Sequence, residues 1–276
     1  MKCSTAPFGT LMLLAAAMLL ISSCASLSGS GVGRVKGYVI ESDRLPVEFD
    51  GCRVAFVSDI HYPSLFGPKR LPKLSRLLNE AAPDILLLGG DYVTCNDSID
   101  ALFASLSSVK TTYGTYAVLG NHERKNWSMI ERSMKEHGIV LLADSCAWLC
   151  NDGGNICVAG VRDSFVCDSV ATSAVSNDAS EAFVILLAHT PDYAERSQSR
   201  ADLVLSGHTH GGQVSLFGIY TPVKNTGYGT RFLRGLNKTT YGSTIITTNG
   251  VGTSRRKVRF CVPSEIVIIT LERVSD

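Results

Sequence analysis

Apolar residues in this chain keep two rhythms. Short uninterrupted runs recur at Val54–Val57, Ile85–Leu88, Tyr116–Leu119, Phe183–Leu187 and Leu203–Leu205, and each reads as a strand. Between the first of them lie stretches with helical spacing. Pro68–Ala82 carries Leu71, Leu74, Leu77 and Leu78 on one face, and Ile99–Val109 carries Leu102, Phe103 and Leu106. A third, Trp127–His137, is closed by Gly138. Strand–helix alternation predicts parallel pairing, with helices covering the sheet. From Ile139 onward strands dominate, with further runs at Ile139–Leu142, Ala147–Leu149, Ile156–Ala159, Val214–Phe217, Ser243–Thr247 and Glu265–Leu271. The Ser-, Ala-, Asn- and Asp-rich stretch Asp168–Glu181 reads as a surface insertion or a mobile loop at the mouth of a site, and no internal repeat is evident.

The first residues follow neither rhythm. Lys2 precedes an apolar run from Phe8 to Ile21, and Ile21-Ser22-Ser23-Cys24 follows. A short apolar core before small residues is the pattern of a secretory signal, assigned here to residues 1–23. The cysteine resembles a bacterial lipobox, so Cys24 is expected to become a lipidated N-terminus. An uncleaved anchor helix is the competing reading, but the run falls short of the roughly 20 residues needed to span a bilayer. Residues 24–34, rich in Ser and Gly, read as a flexible tether, and residues 35–276 as a single domain. The expected location is therefore extracytoplasmic and membrane-anchored.

The chain carries 26 Lys and Arg against 25 Asp and Glu. Without Lys2 the formal charge is zero, which gives no argument for a nucleic-acid partner. Of nine cysteines, Cys52, Cys95, Cys146, Cys150, Cys157, Cys167 and Cys261 remain once Cys3 and Cys24 are set aside. An odd number cannot pair completely within one chain. The group Cys146, Cys150, Cys157 and Cys167 admits disulfides, free thiols or a zinc site, and its spacing matches no paired C-x-x-C pattern.

Chemistry-bearing residues follow the strand-type runs. They are Ser58-Asp59-Ile60-His61, Gly89-Gly90-Asp91, Gly120-Asn121-His122-Glu123, Leu187-Ala188-His189-Thr190 and Gly207-His208-Thr209-His210, and they contain five of the six histidines. Carboxylates, an amide oxygen and imidazoles at neighbouring strand ends are what a pair of divalent metals requires. Asp59 and His61, like His208 and His210, are two apart, so strand alternation predicts a shared face, with Thr209 turned away. The sixth histidine, His137, reads as a solvated helix-end residue.

In this order the blocks resemble the calcineurin-like metallophosphoesterase superfamily, with coverage from about Cys52 to the C-terminus. Leu205–Val214, Tyr116–His122 and Pro263–Ile266 are similar to its branch of bacterial membrane-associated phosphodiesterases. The resemblance implies an α/β fold of two packed mixed β-sheets flanked by helices. It implies two divalent ions, with Mn, Fe or Zn suited to the mixed O and N donors. Asp59, His61 and His210 would hold one ion and Asn121, His189 and His208 the other, with Asp91 bridging. His122 would act on phosphoryl or leaving-group oxygens, and Glu123 would orient His122. The implied activity is hydrolysis of a phosphodiester or pyrophosphate by metal-activated hydroxide, on an envelope or lipid-linked phosphate ester. Hydrolysis of UDP-diacylglucosamine in lipid A synthesis, known in that branch, is the rival substrate assignment. A non-catalytic scaffold of the same fold is the rival from another class.

Outside these blocks, Arg255-Arg256-Lys257 with Arg259 forms a basic run suited to a phosphate, an anionic membrane surface or plain solvent. Tyr62, Phe66, Lys69 and Arg70 are placed by sequence near the mouth of the site. Gly211-Gly212-Gln213 is expected to serve close backbone packing.

Overall fold

A computed structural model of the chain describes residues 32–162, 164–165, 182–216 and 219–274. Its strands are β1 (Arg34–Ser42), β2 (Arg53–Val57), β3 (Ile85–Leu88), β4 (Thr115–Ala117), β5 (Val140–Leu141), β6 (Ser145–Asn151), β7 (Gly154–Gly160), β8 (Phe183–Leu187), β9 (Leu203–Ser206), β10 (Gly235–Lys238), β11 (Thr244–Thr247) and β12 (Glu265–Arg273). Its α-helices are α1 (Leu71–Glu80), α2 (Ile99–Leu106), α3 (Trp127–Glu136) and α4 (Asp192–Arg196).

The strands form two six-stranded sheets, ordered β1-β12-β2-β3-β4-β5 and β10-β11-β9-β8-β7-β6. In the first, β2 through β5 run parallel and β12 pairs antiparallel with β2. In the second, β7, β8, β9 and β11 run parallel, with β6 and β10 as antiparallel edges. Both are mixed sheets, as the resemblance implied.

Alternation along single strands shows why the apolar runs are unbroken. Val54 and Phe56 of β2 and Ile85 and Leu87 of β3 pack against Phe183, Ile185, Leu203 and Leu205 in the core between the sheets. Ala55, Val57, Leu86 and Leu88 point the other way, against Leu74 and Leu78 of α1, Phe103 of α2 and Ile130 of α3. Behind the second sheet, Val184, Leu186 and Val204 meet Tyr193 and Phe232. A parallel sheet covered on both faces leaves no position for a polar residue.

Several elements differ from the sequence reading. β1, β10 and α4 are not anticipated by the sequence, and of the expected strand Val214–Phe217 the described residues make isolated bridges, Val214 to Phe260 and Leu216 to Tyr220, while Phe217 lies outside them. The expected helix from Pro68 begins as a 3-10 turn over Pro68–Arg70. Arg34, the last residue of the expected tether, already pairs with Glu265 in β1. The expected signal, Cys24 and Asp168–Glu181 lie outside the described residues, as does Cys167. Among the described residues no helix is long and apolar enough to cross a membrane. Among the described residues, Cys52, Cys95, Cys146, Cys150 and Cys157 are free thiols. Burial pushes the Cys52 and Cys157 thiols up to about 12, with Cys146 adding to the effect on Cys157. His137 caps the end of α3 and reaches Asp100 at 2.8 Å.

Candidate metal centre

The loops that leave β2, β3, β4, β8 and β9 converge at the carboxyl ends of the parallel strands, where α/β sheets place their ligands. They are stitched together by backbone. Asp59 N–H donates to Gly90 O at 2.9 Å, His61 N–H to Asp91 O at 3.0 Å and Gly207 N–H to His189 O at 2.9 Å. Two glycines allow the approach: a Cβ on Gly120 would collide with the Asp91 carboxylate, and one on Gly207 with that of Asp59.

Strand alternation is not what aligns the paired residues. Asp59 (φ 57°), His61 (51°), Asp91 (57°), His208 (64°) and His210 (52°) all adopt left-handed backbone. Such conformations cost roughly 1–3 kcal/mol each in non-glycine residues and gather at functional sites. The shared direction of Asp59 with His61, and of His208 with His210, comes from these local reversals. Thr209 does turn away, donating its hydroxyl to Leu233 O at 2.7 Å.

The structure brings the expected side chains together in overlapping groups. Asp59, His61 and His210 form one; Asp91, His189 and His208 form another; and Asp91 with His61 and His122 links them. His210 Nε2 lies 3.3 Å from Asp59 Oδ1 and 3.2 Å from His61 Nε2. Asp91 Oδ2 lies 3.4 Å from His189 Nε2, 3.6 Å from His61 Nε2 and 3.9 Å from His122 Nε2. In the loop that carries His122, the Asn121 Oδ1 is buried with no hydrogen-bond partner, as are the Nδ1 atoms of His61 and His210. An orphaned buried amide oxygen beside facing imidazoles suits a cation. The donor set of carboxylate, amide and imidazole fits Mn, Fe or Zn.

Protonation follows from burial and neighbours. Burial lowers His61 and His208 to about 4 and drives His210 well below the usual range. These rings are therefore neutral at physiological pH, the form that offers a lone pair to a metal. Burial, with the Asp91 charge adding to it, raises Asp59. Burial opposes the charge of Asp91 too, but the His189, His61 and His122 imidazoles overcome it and hold Asp91 well below the carboxylate range. His189 is the counterpart. Burial disfavours its charge, yet the Asp91 carboxylate lifts it to about 10, while its Nδ1 faces Gly89 O at 2.7 Å.

A metal ion held through His189 Nε2 would therefore displace the proton held there. The metal-free protein holds that proton throughout the neutral range, and the stability it contributes is lost as pH rises from 6.5 toward about 10. Metal affinity is expected to rise with pH across the same window, with about one proton released per binding event at neutral pH. Calorimetry in buffers of different ionisation heat reads that release, and buffer-independent heats with a pH-independent Kd would contradict it.

Glu123 meets backbone rather than the His122 ring. Its buried carboxylate accepts three backbone N–H groups, Asp91 and Gly120 on Oε2 and Tyr92 on Oε1, all at 2.8 Å. Both oxygens join the Asp91 loop to the Asn121 loop. Burial and the Asp91 charge push Glu123 up to about 7 against the pull of its N–H donors. The His122 ring stays half-exposed, edge-on to His61 at 4.7 Å, while the His122 backbone N–H donates to Asp91 Oδ1 at 3.0 Å.

Arg259 was read as part of a surface run and is instead buried. Its guanidinium donates to the carbonyls of Asn249, Gly250, Gly252, His210 and Val262. The 250–252 segment in turn donates N–H groups from Val251 to Ser58 O and from Gly252 to Asp59 O. One side chain thus clamps the loops of Asp59 and His210 from behind. An arginine inside a basic run carries no sequence cue to such burial. Glu265 braces the same loop, accepting from Asn249 N–H at 3.0 Å and from its side-chain amide at 3.2 Å. Tyr62, Phe66 and Arg70 also lie in the interior rather than at the mouth, with the Arg70 guanidinium 4.3 Å from the Phe66 ring centre. Phe165, unanticipated from sequence, stands edge-on to His208 at 4.7 Å, with the Arg124 guanidinium 5.2 Å from its ring centre.

Comparison with known proteins adds independent findings. Residues 52–212 match the family described as calcineurin-like phosphoesterase. The uncharacterized metallophosphoesterase YkuE of Bacillus subtilis is 30% identical over 85% of this chain and 84% of its own length. Phosphodiesterase YaeI of Escherichia coli is 35% identical over 72% of this chain and 75% of its own. A solved dimetal phosphatase from Danio rerio superposes with a TM-score of 0.47 at 12% identity, covering 80% of this chain and 99% of that one.

Proposed function

The chain belongs to the calcineurin-like phosphoesterase family and is a metal-dependent phosphoester hydrolase, and on that premise we propose that it cleaves a phosphodiester or pyrophosphate on an envelope or lipid-linked molecule. The observation that carries the reading is the placement of Asp91, whose single carboxylate oxygen lies 3.4–3.9 Å from ring nitrogens of His189, His61 and His122. A carboxylate between two donor groups is suited to joining two ions.

In this reading Asp59, His61 and His210 hold one divalent ion, and Asn121, His189 and His208 hold the other. Such a pair, when bound, clamps the entering and leaving oxygens of an in-line displacement and lowers the pKa of water. The chain's own groups do the rest. His122, alone among the clustered histidines in having an exposed ring, holds the proton that the departing alkoxide takes up. Glu123 is a positioning residue: it fixes Asp91 relative to Asn121 and His122. Phe165 walls the His208 side of the site.

The diester preference is supported by the name of the relative YaeI, called a phosphodiesterase. Attachment through a lipidated Cys24, on the outer side of the cytoplasmic membrane, is supported by the run from Phe8 to Cys24. A panel of bis(p-nitrophenyl) phosphate, p-nitrophenyl phosphate and a nucleotide-linked pyrophosphate tests the bond type. Chelated protein is expected to be inactive, and manganese to restore turnover of the diester or pyrophosphate. A preference for the monoester would overturn this assignment.

A further inference from the structure

One side of the metal centre opens on a surface that the hydrolytic reading does not use. From 203 to 264 the sequence carries eight Lys and Arg and no Asp or Glu, although the whole chain is almost neutral. Two loops of this stretch lie side by side. Val214 bridges to Phe260, Ser215 N–H donates to Phe260 O at 2.9 Å, and Gln213 Nε2 donates to Val258 O at 3.4 Å. The first loop raises apolar side chains into solvent: Ile219 is 88% exposed and Tyr220 60%, with Leu216 and Val223 beside them. The second presents Arg255, Arg256 and Lys257, all exposed, followed by the exposed Val258. None of these three cations has an ion pair among the described residues. Between the loops is a cavity of about 180 Å³ lined by His210, Gly212, Val223, Arg255 and Arg256, so this surface reaches the metal centre itself.

We propose that these two loops form a docking face for an anionic lipid bilayer, with Ile219 and Tyr220 entering the headgroup boundary and Arg255, Arg256 and Lys257 pairing with lipid phosphates. Exposed apolar side chains rimmed by cations are the pattern of an interfacial surface. Charge complementarity selects the occupant, because a basic strip without acids is drawn to anionic headgroups and gains nothing from neutral ones. Tyrosine suits the boundary, with an apolar ring and a polar tip. Docked this way, His210 and the cavity beside it face the lipid surface. The assignment stands on these loops alone and holds whichever phosphoester is hydrolysed.

Hydrogen exchange on the full-length chain tests it, in vesicles of phosphatidylcholine alone and in vesicles containing equal parts phosphatidylglycerol. Any attachment through the N-terminal segment is common to both, so the difference reports the domain's own face. Exchange across 213–216, 219–225 and 253–260 is expected to slow only in the anionic vesicles, and to recover at high salt. The triple variant R255Q/R256Q/K257Q is expected to lose that protection, its binding to anionic vesicles falling roughly a hundredfold at about fivefold per charge. I219S/Y220S is expected to lose it as well. These are surface changes, and turnover of a soluble diester checks that each variant is folded. Equal protection in both vesicle types, protection on another face, or none would overturn the proposal.

Discussion

Asp91→Asn is expected to lower kcat for a soluble diester by roughly a thousandfold or more, since two bound ions supply several kcal/mol of transition-state stabilisation. The substitution removes the anion from among His189, His61 and His122 while keeping the shape of the side chain. Its Oδ1 can still accept the His122 N–H that Asp91 accepts at 3.0 Å. Asparagine also tolerates the left-handed backbone found at this position. The variant should therefore fold and fail as a metal site. Elemental analysis is expected to find little bound metal, and NMR to find the His189 imidazole neutral at physiological pH, because the carboxylate that lifts its pKa is gone. Parental turnover with a full metal complement in this variant would falsify the assignment of Asp91 as the shared ligand.

The second large effect is expected away from the reacting atoms. Arg259→Met leaves the carbonyls of Asn249, Gly252 and Val262 without the hydrogen bond that the guanidinium gives them. A buried carbonyl left unpaired costs about 1–3 kcal/mol, so a loss on the order of 4 kcal/mol is expected, a large share of a typical domain's stability. Urea unfolding of the metal-free protein measures it. Metal affinity should weaken with it, since His210 O also loses its Arg259 donor. Arg259→Lys keeps the charge but replaces a five-donor fork with one nitrogen, so it should recover only part of the stability. An unchanged unfolding midpoint for Arg259→Met would sink the clamp.

The contrast between Asp91 and Arg259 shows what was legible in the sequence. The strands β2, β3, β8 and β9 were readable because burial on both faces leaves only apolar residues. β1 was not, because it is an edge strand whose Val35 and Val39 are exposed and interleave with polar residues. β10, Gly-Leu-Asn-Lys, has too little apolar character to announce itself. Val214–Phe217 reads as a strand by composition, yet the left-handed turn at Gly212 and Gln213 delivers Val214 and Leu216 to single bridges with Phe260 and Tyr220. At the site, residue types and order were enough to select the clustered side chains. The partners of Glu123 were not readable, because which N–H groups a carboxylate meets depends on how two distant loops pack. Arg259 was hidden for the related reason that burial of a charge leaves no local pattern.

The backward-turned residues Asp59, His61, Asp91, His208 and His210 have a bearing on how this protein can be improved. At each of them glycine would be the more comfortable occupant of the chain path, and glycine binds no cation. Heat tolerance and turnover therefore pull in opposite directions at five neighbouring places. A library screened for robustness without an assay for chemistry would drift toward a sturdier molecule that has stopped working.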